Sequence, residues 1–244
     1  MNYKTIPEMF FSVVNQNSDK NILNYKDNNN WVPITGAKLL DYVSSISGGL
    51  LSLNLHKQDK VAVLSNTSYK WALCDYGILC CGMTTVTVYP TLIEDQVNYI
   101  INDSGAQLIF VENIEQFNKI NKIFNSSESL KYIVIMDNDE VADSYDYAFK
   151  LDDFIKKGYD YLKNSDLNIQ ELTSSVKETD LLTLIYTSGT TGMPKGVMLS
   201  HKNIMSNIIA VSTLQTDLEN ETFLSFLPLS HVLERMAGHF FPMA

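Results

Sequence analysis

Residues 60–90, KVAVLSNTSYKWALCDYGILCCGMTTVTVYP, change periodicity twice, and the change decides the fold. Lys60–Ser65 (KVAVLS) is a short apolar run of strand length. Trp71–Cys81 is apolar on every turn and too long for a strand, so it reads as a buried helix. Thr84–Tyr89 (TTVTVY) is rich in β-branched residues and returns to strand. Strands without a polar face must be covered on both sides. A helix linking two of them makes them parallel neighbours in a βαβ unit.

The alternation continues outward from this unit. Downstream, Ile93–Asp103 has helical spacing, and Leu108–Glu112 (LIFVE) and Tyr132–Met136 (YIVIM) are two further buried strands. Residues 137–180 are richer in Asp, Tyr and Lys; apart from a helix over Asp152–Leu162, they are expected to form a surface connection. Upstream, Ile6, Met9, Phe10, Val13 and Val14 share one helical face that Pro7 opens. KDNNNW marks a hairpin around Asn28–Asn30, and Leu39–Leu53 is helical. From Leu181 the pattern resumes as strand LLTLIY, a Gly/Ser/Thr loop, strand GVMLS, a helix from His201, strand TFLSFL and a helix from His231. The expected class is α/β, with mostly parallel sheets flanked by helices. Residues 1–180 are expected to form a first unit and residues 181–244 the start of a second.

The 244 residues are 45% hydrophobic and 19% charged, which suffices for a sizeable core. A net charge of -10 argues against nucleic acid as a partner, because a phosphate backbone demands clustered Lys and Arg. The three cysteines, Cys74, Cys80 and Cys81, match no zinc or disulfide spacing and read as core thiols in a reducing compartment. MNYKTIPEMFFSVVNQ lacks the pattern of a signal peptide, and Asp75 interrupts the most apolar segment. The expected location is cytoplasmic.

Thr187–Gly196, TSGTTGMPKG, carries the chemistry. It follows a buried strand, at the edge where open α/β sheets place their ligands. Gly189, Gly192 and Gly196 leave room for a ligand against the backbone, and Thr187, Ser188, Thr190 and Thr191 bring hydroxyls. Pro194 stiffens the turn that aims Lys195. Small donors, glycine freedom and one cation together describe a polyphosphate cradle. It is not a GxxxxGK[ST] loop, since Gly189 and Gly192 are three apart and Lys195 precedes Gly196.

YTSGTTGMPKGVMLSHKN, Tyr186–Asn203, is similar to the phosphate-binding signature of the adenylate-forming superfamily of acyl-CoA synthetases, adenylation domains and luciferases. FLPLSHVLER, Phe226–Arg235, resembles the second signature, in the form found in long-chain fatty acyl-CoA synthetases. The resemblance implies that Thr187, Ser188, Gly189, Thr190, Thr191, Gly192 and Lys195 hold the β- and γ-phosphates of ATP, with Thr190 offered to Mg2+. It implies a fatty acid substrate, activated to acyl adenylate and passed to coenzyme A, and places His231 beside the adenylate. From the residues alone, His231 also reads as a helix cap, and Glu234 with Arg235 either as a solvated pair or as structural residues. His201, after a capping Ser200, reads as helix-start structure, while His56 and His239 carry no pattern. Phe223, Phe226, Phe240, Phe241 and Met243 suit core, with an acyl tunnel as the alternative.

The family's Tyr-Gly-x-Thr-Glu motif, ribose-binding Asp and C-terminal domain have no match in the chain. Three expectations follow from the resemblance: part of a ligase that works with a complementary C-terminal chain, a non-catalytic remnant, or a nucleotide- or acyl-binding module. A fatty-acid ligase also implies transient, peripheral membrane contact.

Overall fold

In a computed structural model the described residues are 3–187, 193–214 (the side chain of Leu214 excepted) and 221–244. Helix α1 (Ile6–Gln16) starts where Thr5 Oγ1 accepts the Glu8 N–H at 3.3 Å, with Pro7 in its first turn. Strands β1 (Asn21–Asp27) and β2 (Asn30–Thr35) form an antiparallel hairpin. Asn28 and Asn29 turn it at φ 45° and 67°, a left-handed pair that asparagine tolerates. Helix α2 (Gly36–Ser52) follows.

The alternating section comprises β3 (Lys60–Leu64), α3 (Tyr69–Cys80), β4 (Thr84–Val88), α4 (Glu94–Ser104), β5 (Ala106–Val111), α5 (Ile114–Ile123) and β6 (Tyr132–Ile135). It is completed by β7 (Ala148–Lys150), α6 (Leu151–Lys163), α7 (Ile169–Thr173), β8 (Leu181–Thr187), β9 (Lys195–Ser200) and α8 (His201–Leu214). Seven strands make one sheet in the order β7-β6-β5-β3-β4-β8-β9, parallel except for β9. Strands on both sides of residue 180 therefore lie in the same sheet.

Strand periodicity divides the core into two layers. Val61 and Val63 face the layer built with α1, α2, α3, α6 and α8, while Ala62 and Leu64 face the layer built with α4 and α5. Residues 232–243 close the first layer as a short helix, α9 (Val232–Glu234), wider π turns over Arg235–Phe240, and α10 (Phe241–Met243). Among the described residues, no helix is long and apolar enough to cross a membrane.

Two sequence expectations need correction. Residues 137–180 are more than a surface connection, because β7 extends the sheet beside β6 and α6 packs on α2. That crossing is tight enough that a Cβ on Gly158 would lie 1.8 Å from the Ser45 carbonyl oxygen. TFLSFL is not a strand. Its last residue, Leu227, is tied to Thr67 just past β3, and β3 and β4 are each already paired on both edges, so neither offers it a ladder.

Candidate functional site

The site is assembled at the carboxyl edge of β3, β4 and β8. Strand β8 rises beside β4 and turns back as β9, with Thr187 opposite Lys195 at the open end of the hairpin. Both are exposed. Ser188, Gly189, Thr190, Thr191 and Gly192 lie outside the described residues. The base of the hairpin is fixed by Tyr186, which donates to Asp103 Oδ2 at 2.6 Å and packs its ring beneath Gly196. Burial, then Asp103, pushes the Tyr186 phenol upward, so it stays a neutral donor.

The second signature reaches the same edge through β3 and β4. Thr67, just past β3, donates to the Leu227 carbonyl and accepts the Leu229 N–H at 3.0 Å. Thr87 of β4 donates to the Ser230 carbonyl at 3.2 Å, and Ser230 Oγ donates to the Val88 carbonyl at 3.4 Å. His231 then caps α9, its Nδ1 accepting the Leu233 N–H at 3.2 Å, and is otherwise exposed. The fold thus sets His231 above β4, one strand from the hairpin that carries Thr187 and Lys195.

Glu234 and Arg235 are not a solvated pair. Both are buried, and they have different partners: Glu234 Oε1 accepts from Ser225 Oγ at 2.7 Å, while Arg235 turns inward to Asp75. His239, which carries no sequence pattern, is buried with Nε2 3.1 Å from Asp75 Oδ2. Burial alone would raise the Asp75 pKa, but Arg235 and then His239 outweigh it and hold the carboxyl below its ordinary value. Burial pushes His239 the other way, towards the neutral imidazole. The one advance signal of this cluster was Asp75 itself, a charge set in the apolar run of α3.

Beside the terminal segment a cleft of about 920 Å³ opens between the β1–β2 hairpin and residues 221–243. Tyr25 and Tyr69 stack at 4.0 Å along one side, and Phe223, Leu224 and Met243 line the other. Phe240 is core, Phe226 is exposed, and Phe241 is half-buried. The three cysteines are free and buried.

The AMP-binding enzyme family model matches residues 10–244. A long-chain-fatty-acid–CoA ligase of Mycobacterium bovis is 33% identical over 210 residues, 84% of this chain and 33% of that protein. One from Xenopus laevis is 32% identical over 237 residues, 95% of this chain and 31% of that protein. The chain therefore spans about a third of the length of the curated relatives it matches. Among solved structures, a fatty acyl CoA synthetase of Mycobacterium tuberculosis superposes with a TM-score of 0.78 at 20% identity, over 98% of this chain and 43% of that one. A structure from Rhodopseudomonas palustris, described as a long-chain-fatty-acid CoA ligase, gives 0.78 at 17% identity, over 98% of this chain and 55% of that one. These likenesses establish the fold.

Proposed function

The chain belongs to the AMP-binding enzyme family, and from that premise we propose that it holds ATP in the 187–195 loop for the activation of a long-chain fatty acid. The observation that carries this reading is the β8–β9 hairpin. It presents Thr187 and Lys195 opposite each other at the carboxyl edge, around the sequence TSGTTGMPKG.

In the proposed reaction a carboxylate oxygen attacks the α-phosphorus of ATP. The bond from that phosphorus to the bridging oxygen breaks, and pyrophosphate leaves. The thiolate of coenzyme A then attacks the acyl carbon and expels AMP, its proton passing to solvent. Lys195 and the loop donors hold the β- and γ-phosphates in line and meet the charge that grows on the leaving pyrophosphate. His231 borders the place of the carboxylate.

Mg2+ would neutralise the triphosphate. Among the described residues no group of three His, Cys, Asp or Glu side chains forms a metal cage. Thr190 would offer such an ion a hydroxyl. The apolar wall of the 920 Å³ cleft beside residues 232–243 suits the acyl chain. Turnover is proposed to need the remainder of the family's length, in the same polypeptide or a complementary chain, and contact with a membrane only while lipid is collected.

Calorimetry with Mg·ATP, followed by fatty-acid-dependent exchange of labelled pyrophosphate into ATP, tests the reading. ATP binding is expected, and Lys195→Ala with Thr190→Ala should lower any exchange by roughly a hundredfold or more. Binding without exchange would fit either one part of a ligase or a nucleotide-binding module, and exchange restored by a complementary C-terminal chain would single out the first. No ATP binding by folded wild type would refute the assignment.

A further inference from the structure

Asp75 is fully buried, and four donors converge on its carboxylate. Arg235 donates through Nε to Oδ2 at 3.0 Å and through Nη2 to Oδ1, His239 Nε2 lies 3.1 Å from Oδ2, and Thr85 Oγ1 donates to Oδ1 at 2.7 Å. The remaining guanidinium nitrogen, Arg235 Nη1, donates to Thr183 Oγ1, and that hydroxyl donates to the Thr85 carbonyl at 2.7 Å. One guanidinium thus touches α3 and β8 together, with β4 joined through the two threonines.

Both ends of this network lead to the site. Thr183 lies four residues before Thr187 on β8, a span of about 13 Å along a strand. Arg235 lies one turn after His231, at the point where α9 widens into π turns. A buried ion pair is a poor source of stability, because desolvation offsets most of the attraction and apolar side chains can fill the same volume. What the planar fork of arginine does supply is direction, since a bidentate contact with a third nitrogen spoken for allows one orientation only.

We propose that Arg235, held by Asp75, is a positioning residue that sets the helix carrying His231 against the strand feeding the phosphate loop, so that ATP at the loop orders that helix. This rests on the reading of residues 187–195 as an ATP loop. Thr183 is the joint, because its hydroxyl is the point where the guanidinium grips β8.

Amide hydrogen exchange of the full chain, with and without Mg·ATP, tests it alongside calorimetric binding. In wild type, ATP is expected to slow exchange about fivefold or more in both β8 and residues 232–243. Thr183→Val, nearly isosteric and leaving the Asp75–Arg235 pair whole, should still bind ATP and protect β8 while losing the protection of 232–243. Thr183→Ser should restore it. Asp75→Asn combined with Arg235→Gln, which removes both charges at once, should behave as Thr183→Val does. Undiminished protection of 232–243 in Thr183→Val overturns the proposal, as does a wild type that binds ATP without slowing that segment. A wild type that binds no ATP refutes the loop assignment instead, and the coupling falls with it.

Discussion

His201 is fully buried between α8 and α1, where Nδ1 accepts the Ile6 N–H at 3.3 Å. Burial pushes its pKa down from 6.5 to about 4, with Asp180 opposing. The folded state thus binds this proton less readily than the unfolded chain, so its contribution is intact above pH 6.5 and is lost as pH falls towards 4. The difference corresponds to about 3 kcal/mol. Urea unfolding at a series of pH values is expected to show this loss in wild type and a shallower one in His201→Gln; parallel profiles would show that His201 does not titrate on folding. The cysteines give a second expectation at this scale. Burial raises all three thiols, Cys81 to about 12, so folded protein should resist alkylation that proceeds readily in denaturant. Their core role was legible, since they interrupt nothing in an apolar helix. The partners of Asp75 were not, because Arg235 and His239 lie more than 150 residues away in sequence.

At the scale of elements, the α2–α6 crossing separates propensity from packing. Gly158 lies inside a helix, where alanine is ordinarily favoured by up to about 1 kcal/mol. Its missing Cβ leaves room for the Ser45 carbonyl, so Gly158→Ala should instead destabilise by about 3 kcal/mol. A thermal melt reads the sign directly, and a raised midpoint would mean that the helices can part. Most elements were legible from periodicity and turn chemistry: the Asn28–Asn29 hairpin, α2, the βαβ alternation, and the helix start after Ser200. Ser200 Oγ does accept the Asn203 N–H at 3.3 Å. TFLSFL failed because strand propensity needs a partner edge, and whether an edge is free is a property of the assembled sheet. The tie of α6 to α2 was hidden for a related reason: a glycine contact leaves no hydrophobic pattern to read.

For the whole molecule, charge and exposed apolar surface act in opposition. Among the described residues Met198, Leu224 and Phe226 are about 70% exposed, and β9 forms an edge of the sheet. Such features favour self-association, while a net charge of -10 resists it. Screening shrinks from about 10 Å at 0.1 M salt to about 3 Å at 1 M, so sedimentation should report a mass that rises with salt. Met198→Lys with Phe226→Lys should suppress the rise, and a mass independent of both salt and substitution would show that these residues are not adhesive.

The sequence by itself determined the class of fold, the order of most elements, the family, and the string TSGTTGMPKG on which the proposal of an ATP loop rests. Those depend on local periodicity, turn residues and contiguous motifs, which act over a few residues. Tertiary structure alone decided that β9 runs antiparallel and sets Lys195 opposite Thr187, and that residues 227–230 are hydrogen-bonded to Thr67 and to Thr87 of β4. It also decided that Asp75, Thr183, Arg235 and His239 meet in one buried network. A buried charge finds its partners across space, and nothing local to either one announces where the other will be.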